Sequence, residues 1–324
     1  MSQVEIIDLG DRRKVMIRGE AYSYSGYDPN GIEFETINSV RLLRELERVK
    51  GAAWLKDEID RAECPEYLEV PLARFIRRFL PDPAGRKVLD IGSGCGASSM
   101  VLARMGMTVC GIEHDREFVE VATLRVREFG LSSKIEQQWL EDPAVGFPFE
   151  PECFDAVILS AVMEHVVPSL RPKLLRQAWM VLKKGGLLFV HDTPNRLWPY
   201  DGHTTGLWMT TWLPWKARVA YARRFSRRFE PSISEDDLIA KGLHPPTYWE
   251  IKEVLSSAVC LNREKSDDVN FAFGLTDHRQ RSLPLAMIRA GVIGLLKITG
   301  RLVTVLKAPP AAILQNLDLC FKKP

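Results

Sequence analysis

Val88-Leu-Asp-Ile-Gly-Ser-Gly-Cys-Gly-Ala97 is the stretch on which the reading of this chain turns. Gly92, Gly94 and Gly96 directly follow a short apolar run and lead into a helical segment. Without side chains, glycines let the backbone turn sharply and pass close to a ligand. Gly92, Gly94 and Ala97 also fit the dinucleotide pattern, so the glycines alone leave the ligand open. Asp90, two residues earlier, narrows it. A carboxylate at the strand end disfavours a pyrophosphate seated on the helix N-terminus. It favours a ligand carrying an ammonium and a sulfonium.

Outward from this loop, strand and helix patterns alternate with short links. Strands are expected at 87–91, 108–112, 134–139, 154–160 and 187–190. Helices are expected at 97–105, 116–129 and 171–183, the last closed by Gly185-Gly186. The 154–160 run is nearly all apolar, as in a strand buried on both faces. Such alternation predicts an α/β fold: a Rossmann-like, doubly wound, mostly parallel seven-stranded sheet, with an N-terminal helical flank and an inserted cap. The last strands are expected at 258–261 and 269–273, after a capping-box helix start at Thr247-Tyr-Trp-Glu250.

Three segments lie around this core. Residues 1–80 read as a flank in which 1–35 is a loosely structured lead-in, carrying Tyr27-Asp-Pro-Asn-Gly31, and 37–80 is helical by the spacing of Leu42, Leu43, Leu46 and Val49. The α/β domain is expected over 81–280. Within it, 195–230 is aromatic and basic, and Arg223, Arg224, Arg227 and Arg228 fit a solvated helix face, an anionic-substrate site or, less simply, an RNA contact. Residues 281–324 read as an amphipathic helical tail. In 283–307, Arg289, Lys297, Arg301 and Lys307 lie opposite Met287, Val292, Leu295 and Ile298, and the charges interrupt any membrane span. That helix is expected to lie at a membrane interface, or to dock on the domain or a second subunit.

The second signal is Glu113, about twenty residues beyond the glycines at the tip of the second strand, where Rossmann-type folds place an acid against ribose hydroxyls. Together, Asp90-x-Gly92-x-Gly94-x-Gly96, Glu113 and Phe147-Pro-Phe149 before Phe154-Asp155 resemble the successive motifs of class I S-adenosylmethionine-dependent methyltransferases. The resemblance covers about residues 85–195. It implies S-adenosylmethionine as cofactor, with Asp90, Gly92, Ser93, Gly94 and Gly96 around its methionine part and Glu113 on its ribose. It further implies Asp142, or Glu141, near the adenine, and Ser160 on the cofactor side of the fourth strand.

Ser160-Ala-Val-Met163 is unlike the Asn/Asp-Pro-Pro-Tyr motif of base N-methylating enzymes. Glu164-His165-Val166 and Thr193-Pro-Asn195 resemble small-molecule O-methyltransferases of the quinone type. Trp198-Pro-Tyr-Asp-Gly-His203 is similar to glycan-associated methyltransferases. These likenesses imply a small, lipid-linked or glycan-type hydroxyl acceptor. A hydroxyl must lose its proton, and histidine suits that near neutral pH. His165 is thus the candidate general base, and Glu164 either orients it or binds a metal with it. His203 is a candidate substrate contact, and no metal-ligand set is assigned. A nucleotide-cofactor oxidoreductase and a non-catalytic binding scaffold are the rival readings.

Bulk properties are consistent with this class. The 324 residues carry 44 basic and 42 acidic side chains, a formal net charge of +2 that gives no reason to expect a nucleic-acid partner. The six cysteines show no CxxC spacing, and an apolar signal core is missing after Met1, so a cytoplasmic location is expected, with membrane contact at most peripheral, at the inner face.

Overall fold

The computed structural model describes residues 2–142, 146–263, 268–269, 272, 292–300 and 307–324. The chain divides into two compact units, 1–143 and 144–324.

The first unit opens with strands β1 (Gln3–Asp8), β2 (Arg13–Arg18), β3 (Ala21–Ser23), β4 (Gly26–Asp28) and β5 (Gly31–Thr36). β1, β2 and β5 form an antiparallel sheet, and β3 and β4 a small hairpin. The expected loose lead-in at 1–35 is therefore corrected: the segment is built from short strands. Its inward residues Val15, Ile17, Ile32 and Phe34 alternate with period two and join one core with Leu42, Leu43, Leu46, Leu55 and Ile59. The outward face carries charge pairs such as Lys14–Glu33 and Arg18–Glu5, which hide the alternation from a reading based on apolar runs. The helices α1 (Val40–Lys50), α2 (Leu55–Glu63) and α3 (Glu69–Phe79) follow, with the Ser39 hydroxyl accepting the Leu42 N–H to cap α1. Then come β6 (Lys87–Ile91), α4 (Ala97–Arg104), β7 (Thr108–Glu113), α5 (Arg116–Glu128) and β8 (Ile135–Trp139), with β6, β7 and β8 in parallel register.

The second unit contains β9 (Phe154–Ser160), α6 (Arg171–Val181) and β10 (Leu182–Pro194), and β9 and β10 are parallel. After β10 come the hairpin β11 (Tyr200–Asp201) and β12 (Leu207–Trp208), then α7 (Trp215–Phe225), α8 (Glu235–Ala240) and α9 (Tyr248–Val254). Thr247 and Glu250 form the expected reciprocal cap on α9. A short strand, β13 (Val259–Cys260), falls inside the expected 258–261. Most of the expected strand at 269–273 lies outside the described residues, and Val269 itself is helical.

The last strand of the sheet is β14 (Asn316–Lys322), antiparallel to both β10 and β13. This corrects the helical tail expected over 281–324. Leu317, Leu319 and Phe321 are fully buried, and their alternation is that of a strand. Of the helix expected at 283–307, residues 283–291 and 301–306 lie outside the described residues; 292–300 is helical, with Val292, Leu295 and Ile298 exposed. The complete sheet has seven strands in the order β13-β14-β10-β9-β6-β7-β8, the mostly parallel, Rossmann-like arrangement that the alternation predicts.

The insertion at 195–230 packs Val219 and Ala222 of α7 against Leu238 and Leu243. Its arginines are largely occupied by the backbone. Arg218 is buried and donates to the carbonyls of Thr211, Leu213 and Leu243. Arg223 donates to Ile233, and Arg228 to Gly202 and His203. These bonds pin the segment, so Arg223 and Arg228 act as structural clamps and offer little to an anionic ligand.

Candidate active site

The loop after β6 is held open by left-handed backbone at Gly92, Gly94 and Gly96, with φ of 70°, 52° and 86°. A side chain at Gly96 would also press on Ala122, with Cβ atoms 3.2 Å apart, so α4 can meet α5 only over a glycine there. The Gly92 and Ser93 N–H groups both donate to the Ile112 carbonyl, tying the loop to the end of β7.

Asp90 sits beneath this loop, 1% exposed. Its Oδ2 accepts from the Ser98 and Ser99 hydroxyls, each at 2.7 Å. Its Oδ1 is buried and, among the described residues, has no hydrogen-bond partner. Burial pushes its pKa up to about 6; the two serine hydroxyls oppose that rise and the nearby Glu113 adds to it. A hydrogen-bonded chain runs on from the aspartate. The Gln137 amide donates to Ser99 Oγ at 2.9 Å and accepts from Ser93 Oγ at 2.8 Å. Ser98, Ser99 and Gln137 were absent from the sequence reading. The serines could have been found from their place in the first turn after the loop; Gln137 could not, because its role depends on pairing between β7 and β8.

Gly111 is the partner of that glutamine. A Cβ there would lie 2.2 Å from Gln137 Oε1 and 2.7 Å from its Cδ. Gly111→Ala is expected to cost about 1–3 kcal/mol, as overpacking does, and to break the serine–glutamine chain. Chemical denaturation with the variant as stable as wild type would contradict this.

Glu113 closes the same side of the loop at 6% exposure. Its Oε1 accepts from the backbone N–H groups of His114 and Asp115 and from His114 Nδ1 at 2.7 Å. Among the described residues Oε2 accepts the Gly94 N–H alone, at 3.0 Å, which leaves it room for a hydroxyl donor. Burial works to raise its pKa, but the His114 and backbone hydrogen bonds outweigh it and hold the group below its ordinary value. Glu141 and Asp142 are exposed beyond the end of β8.

A buried ion pair supports the loop from behind. Arg125 of α5 is fully buried and donates to Glu58 Oε1 at 2.7 Å and to the Cys95 carbonyl, inside the glycine loop, at 2.9 Å. Nothing in the residues near the loop announces this pair, whose members are 67 positions apart.

In the second unit, Ser160 at the end of β9 pairs with His191 Nδ1 at 3.0 Å. Burial keeps that histidine's pKa below its ordinary value, so it stays neutral. Beyond β9, Glu164 is fully buried, and among the described residues neither carboxylate oxygen has a hydrogen bond of ordinary geometry. Burial pushes its pKa up to about 8, an effect opposed by its own backbone N–H, Arg171 and the Thr193 hydroxyl and strengthened by Asp192. Its Oε1 lies 3.8 Å from His165 Nε2 and 3.9 Å from His203 Nε2. The fold thus brings together the two residues proposed for catalysis and the one proposed for substrate contact. Arg171 fixes the turn that carries Glu164 and His165 by donating to the Val166 carbonyl at 2.9 Å.

Comparison with known proteins follows the same lines. The model of a methyltransferase domain matches residues 89–190. A ubiquinone biosynthesis O-methyltransferase of Xanthomonas axonopodis pv. citri (strain 306) is 37% identical over 115 residues, 36% of this chain and 46% of that protein. One from Actinobacillus pleuropneumoniae serotype 5b (strain L20) is 37% identical over 113 residues, 35% of this chain and 47% of that one. The chain thus spans a little under half the length of these curated relatives. Among solved structures, a putative S-adenosyl-L-methionine-dependent methyltransferase of Methanococcus maripaludis is 20% identical, covering 48% of this chain and 66% of that one with a TM-score of 0.37. The glycine loop with its buried aspartate and the acid closing β7 both fall within the segment, residues 89–190, that is similar to a methyltransferase domain.

Proposed function

We propose that the chain is a methyltransferase using S-adenosylmethionine, and that it methylates a hydroxyl of a small acceptor. The observation that carries this reading is Asp90: a buried carboxylate with one unpartnered oxygen beneath a left-handed glycine loop fits a cationic amino-acid group. Glu113 Oε2 fits a ribose hydroxyl. Asp142 is proposed near the adenine and Ser160 on the cofactor side of β9. When bound, the cofactor supplies a methyl group already activated on sulfur, so the chain's own task is to position the acceptor and to manage its proton.

That task we assign to the second unit. His165 Nδ1 lies 2.6 Å from the Ala240 carbonyl, which can only accept, so the neutral ring carries its lone pair on Nε2. That atom is the proposed proton acceptor, Glu164 orients the ring, and His203 contacts the acceptor. The curated relatives are named for O-methylation in ubiquinone biosynthesis, and that likeness favours a hydroxylated, lipid-linked ring over a glycan. Exposed Val292, Leu295 and Ile298 at helical spacing support a peripheral seat near such a lipid.

Calorimetric titration with S-adenosylhomocysteine, followed by labelled methyl transfer to catechol-type and sugar hydroxyl panels, tests the reading. Micromolar binding with transfer to the catechol panel is expected. His165→Ala is expected to lower turnover by about 10²–10⁴-fold, the usual weight of general acid–base catalysis, with cofactor affinity unchanged. A folded chain that binds no S-adenosylhomocysteine would leave the scaffold reading in its place.

A further inference from the structure

The cluster after β9 has the features of a metal site. One ligand atom from each of Glu164, His165 and His203 falls within 4.8 Å of the others. The carboxyl group is fully buried, and among the described residues neither oxygen has a hydrogen bond of ordinary geometry, only weaker contacts from its own backbone N–H and the Thr193 hydroxyl. Such a group favours sharing its space with a proton or a cation. Both imidazoles are turned the right way by their outer partners. His165 donates from Nδ1 to the Ala240 carbonyl. The Thr204 hydroxyl donates to the Lys241 carbonyl at 3.0 Å, so toward His203 Nδ1, at 3.2 Å, it acts as acceptor. Each ring therefore carries its lone pair on Nε2, the atom nearest Glu164. Orientation of metal-binding histidines through their other ring nitrogen is the usual support for such sites.

The loop that carries His203 is itself fixed. Asp201 accepts from the Thr204 and Thr205 N–H groups and the Thr205 hydroxyl, and Arg228 holds the His203 carbonyl at 2.9 Å. Bond lengths of 2.0–2.2 Å put tetrahedral ligand atoms about 3.3–3.4 Å apart. The Glu164–histidine separations of 3.8 and 3.9 Å come within reach of that by small rotations of the two partly exposed rings.

We infer that Glu164, His165 and His203 bind one divalent transition-metal ion of the zinc type. Two imidazoles and one carboxylate suit Zn²⁺, Fe²⁺ or Co²⁺ better than Mg²⁺ or Ca²⁺, which prefer all-oxygen sets. Three protein ligands leave a position open for an oxygen of the acceptor, whose hydroxyl the ion would acidify. With the ion bound, His165 serves as a ligand, and the ion takes over the acidifying role. The role of the ion rests on the methyltransferase reading; its binding does not.

The test is titration of the chelator-treated full chain with ZnCl₂ by calorimetry and with CoCl₂ by visible absorption. One ion per chain is expected, with a cobalt ligand-field spectrum free of thiolate charge transfer. His203→Ala and Glu164→Gln should each weaken zinc binding at least 10-fold, and Thr204→Val about 10-fold through the freed imidazole. Circular dichroism confirms that each variant is folded. No stoichiometric zinc in the wild type, undiminished affinity in folded His203→Ala, or a cobalt–thiolate band from the cysteines would each overturn the site. S-adenosylhomocysteine titrated into the same samples separates the two ideas: zinc binding without it retains the metal site and removes the methyltransferase reading, and the reverse result does the opposite.

Discussion

Arg125→Met will destabilise the first unit by about 3–5 kcal/mol, the usual cost of removing one partner from a buried ion pair. The variant leaves Glu58 buried at 5% exposure without its guanidinium and deprives the Cys95 carbonyl of its donor. Burial drives the Glu58 pKa up, and Arg125 with Lys50 more than reverses that, so the carboxylate is held ionised by the partner that the variant removes. Methionine fills much of the arginine's volume, so the loss is chiefly one of charge and hydrogen bonds. The double variant Arg125→Met/Glu58→Leu should regain a large part of the stability, because an apolar pair of similar volume often replaces a buried ion pair at little cost. Urea denaturation of the three variants measures this. A single variant within 1 kcal/mol of wild type would mean that the pair is ornamental. Because Cys95 is part of the glycine loop, the folded fraction of Arg125→Met should also bind S-adenosylhomocysteine more weakly.

Asp90→Asn should lose cofactor affinity and gain stability. Removing one partner from a buried, hydrogen-bonded charge pair costs about 2–5 kcal/mol, which is roughly 30- to several thousand-fold in affinity. Asparagine keeps an oxygen to accept from Ser98 and Ser99, so the loop should persist. The stability effect follows from the sign of the pKa shift. Asp90 has its folded value pushed up to about 6 from 3.8, so the native state holds its proton more tightly than the unfolded chain does. Stability therefore falls as pH rises from about 4 to about 6, by about 3 kcal/mol for a two-unit shift, and this group adds no further slope above that. Asparagine removes the slope; its unpartnered amide gives back about 1–3 kcal/mol of the gain. The expected net effect is a variant about 1 kcal/mol more stable than wild type at pH 7.5 and no more stable at pH 4.5. A pH series of denaturation curves checks it, and parallel wild-type and variant curves would overturn the assignment of Asp90 as the ionising group. Binding of the cationic ligand should itself weaken as pH drops below about 6, where the aspartate takes up its proton.

Some elements were misread from sequence for identifiable reasons. The strands of 1–36 alternate Val15, Ile17, Ile32 and Phe34 with charged neighbours that pair across the sheet, so no apolar run marks them. β14 follows a tail of mixed apolar and basic residues that masks it, although Leu317, Leu319 and Phe321 alternate as a strand does. Its place beside β10 could not be read locally, since the pairing is antiparallel and the partners are more than a hundred residues apart. The arginines of 195–230 posed the opposite problem. They look like a ligand surface by composition, yet Arg218, Arg223 and Arg228 spend their donors on backbone carbonyls of their own segment.

The sequence by itself determined the alternating α/β core, the glycine loop, Asp90 beneath it and Glu113 at the end of β7. These are contiguous or one strand apart, and their chemistry is dictated by local backbone: glycine adopts the left-handed turns of the loop most readily, and the carboxylate lies directly beneath them. Tertiary structure alone decided that Gln137 links Ser93 to Ser99, that Arg125 bridges Glu58 and the Cys95 carbonyl, and that His203 joins Glu164 and His165. Each depends on side chains brought together by packing across dozens of residues. Short-range pattern carries no information about such meetings, because burial, and not sequence spacing, selects the partner of a buried charge.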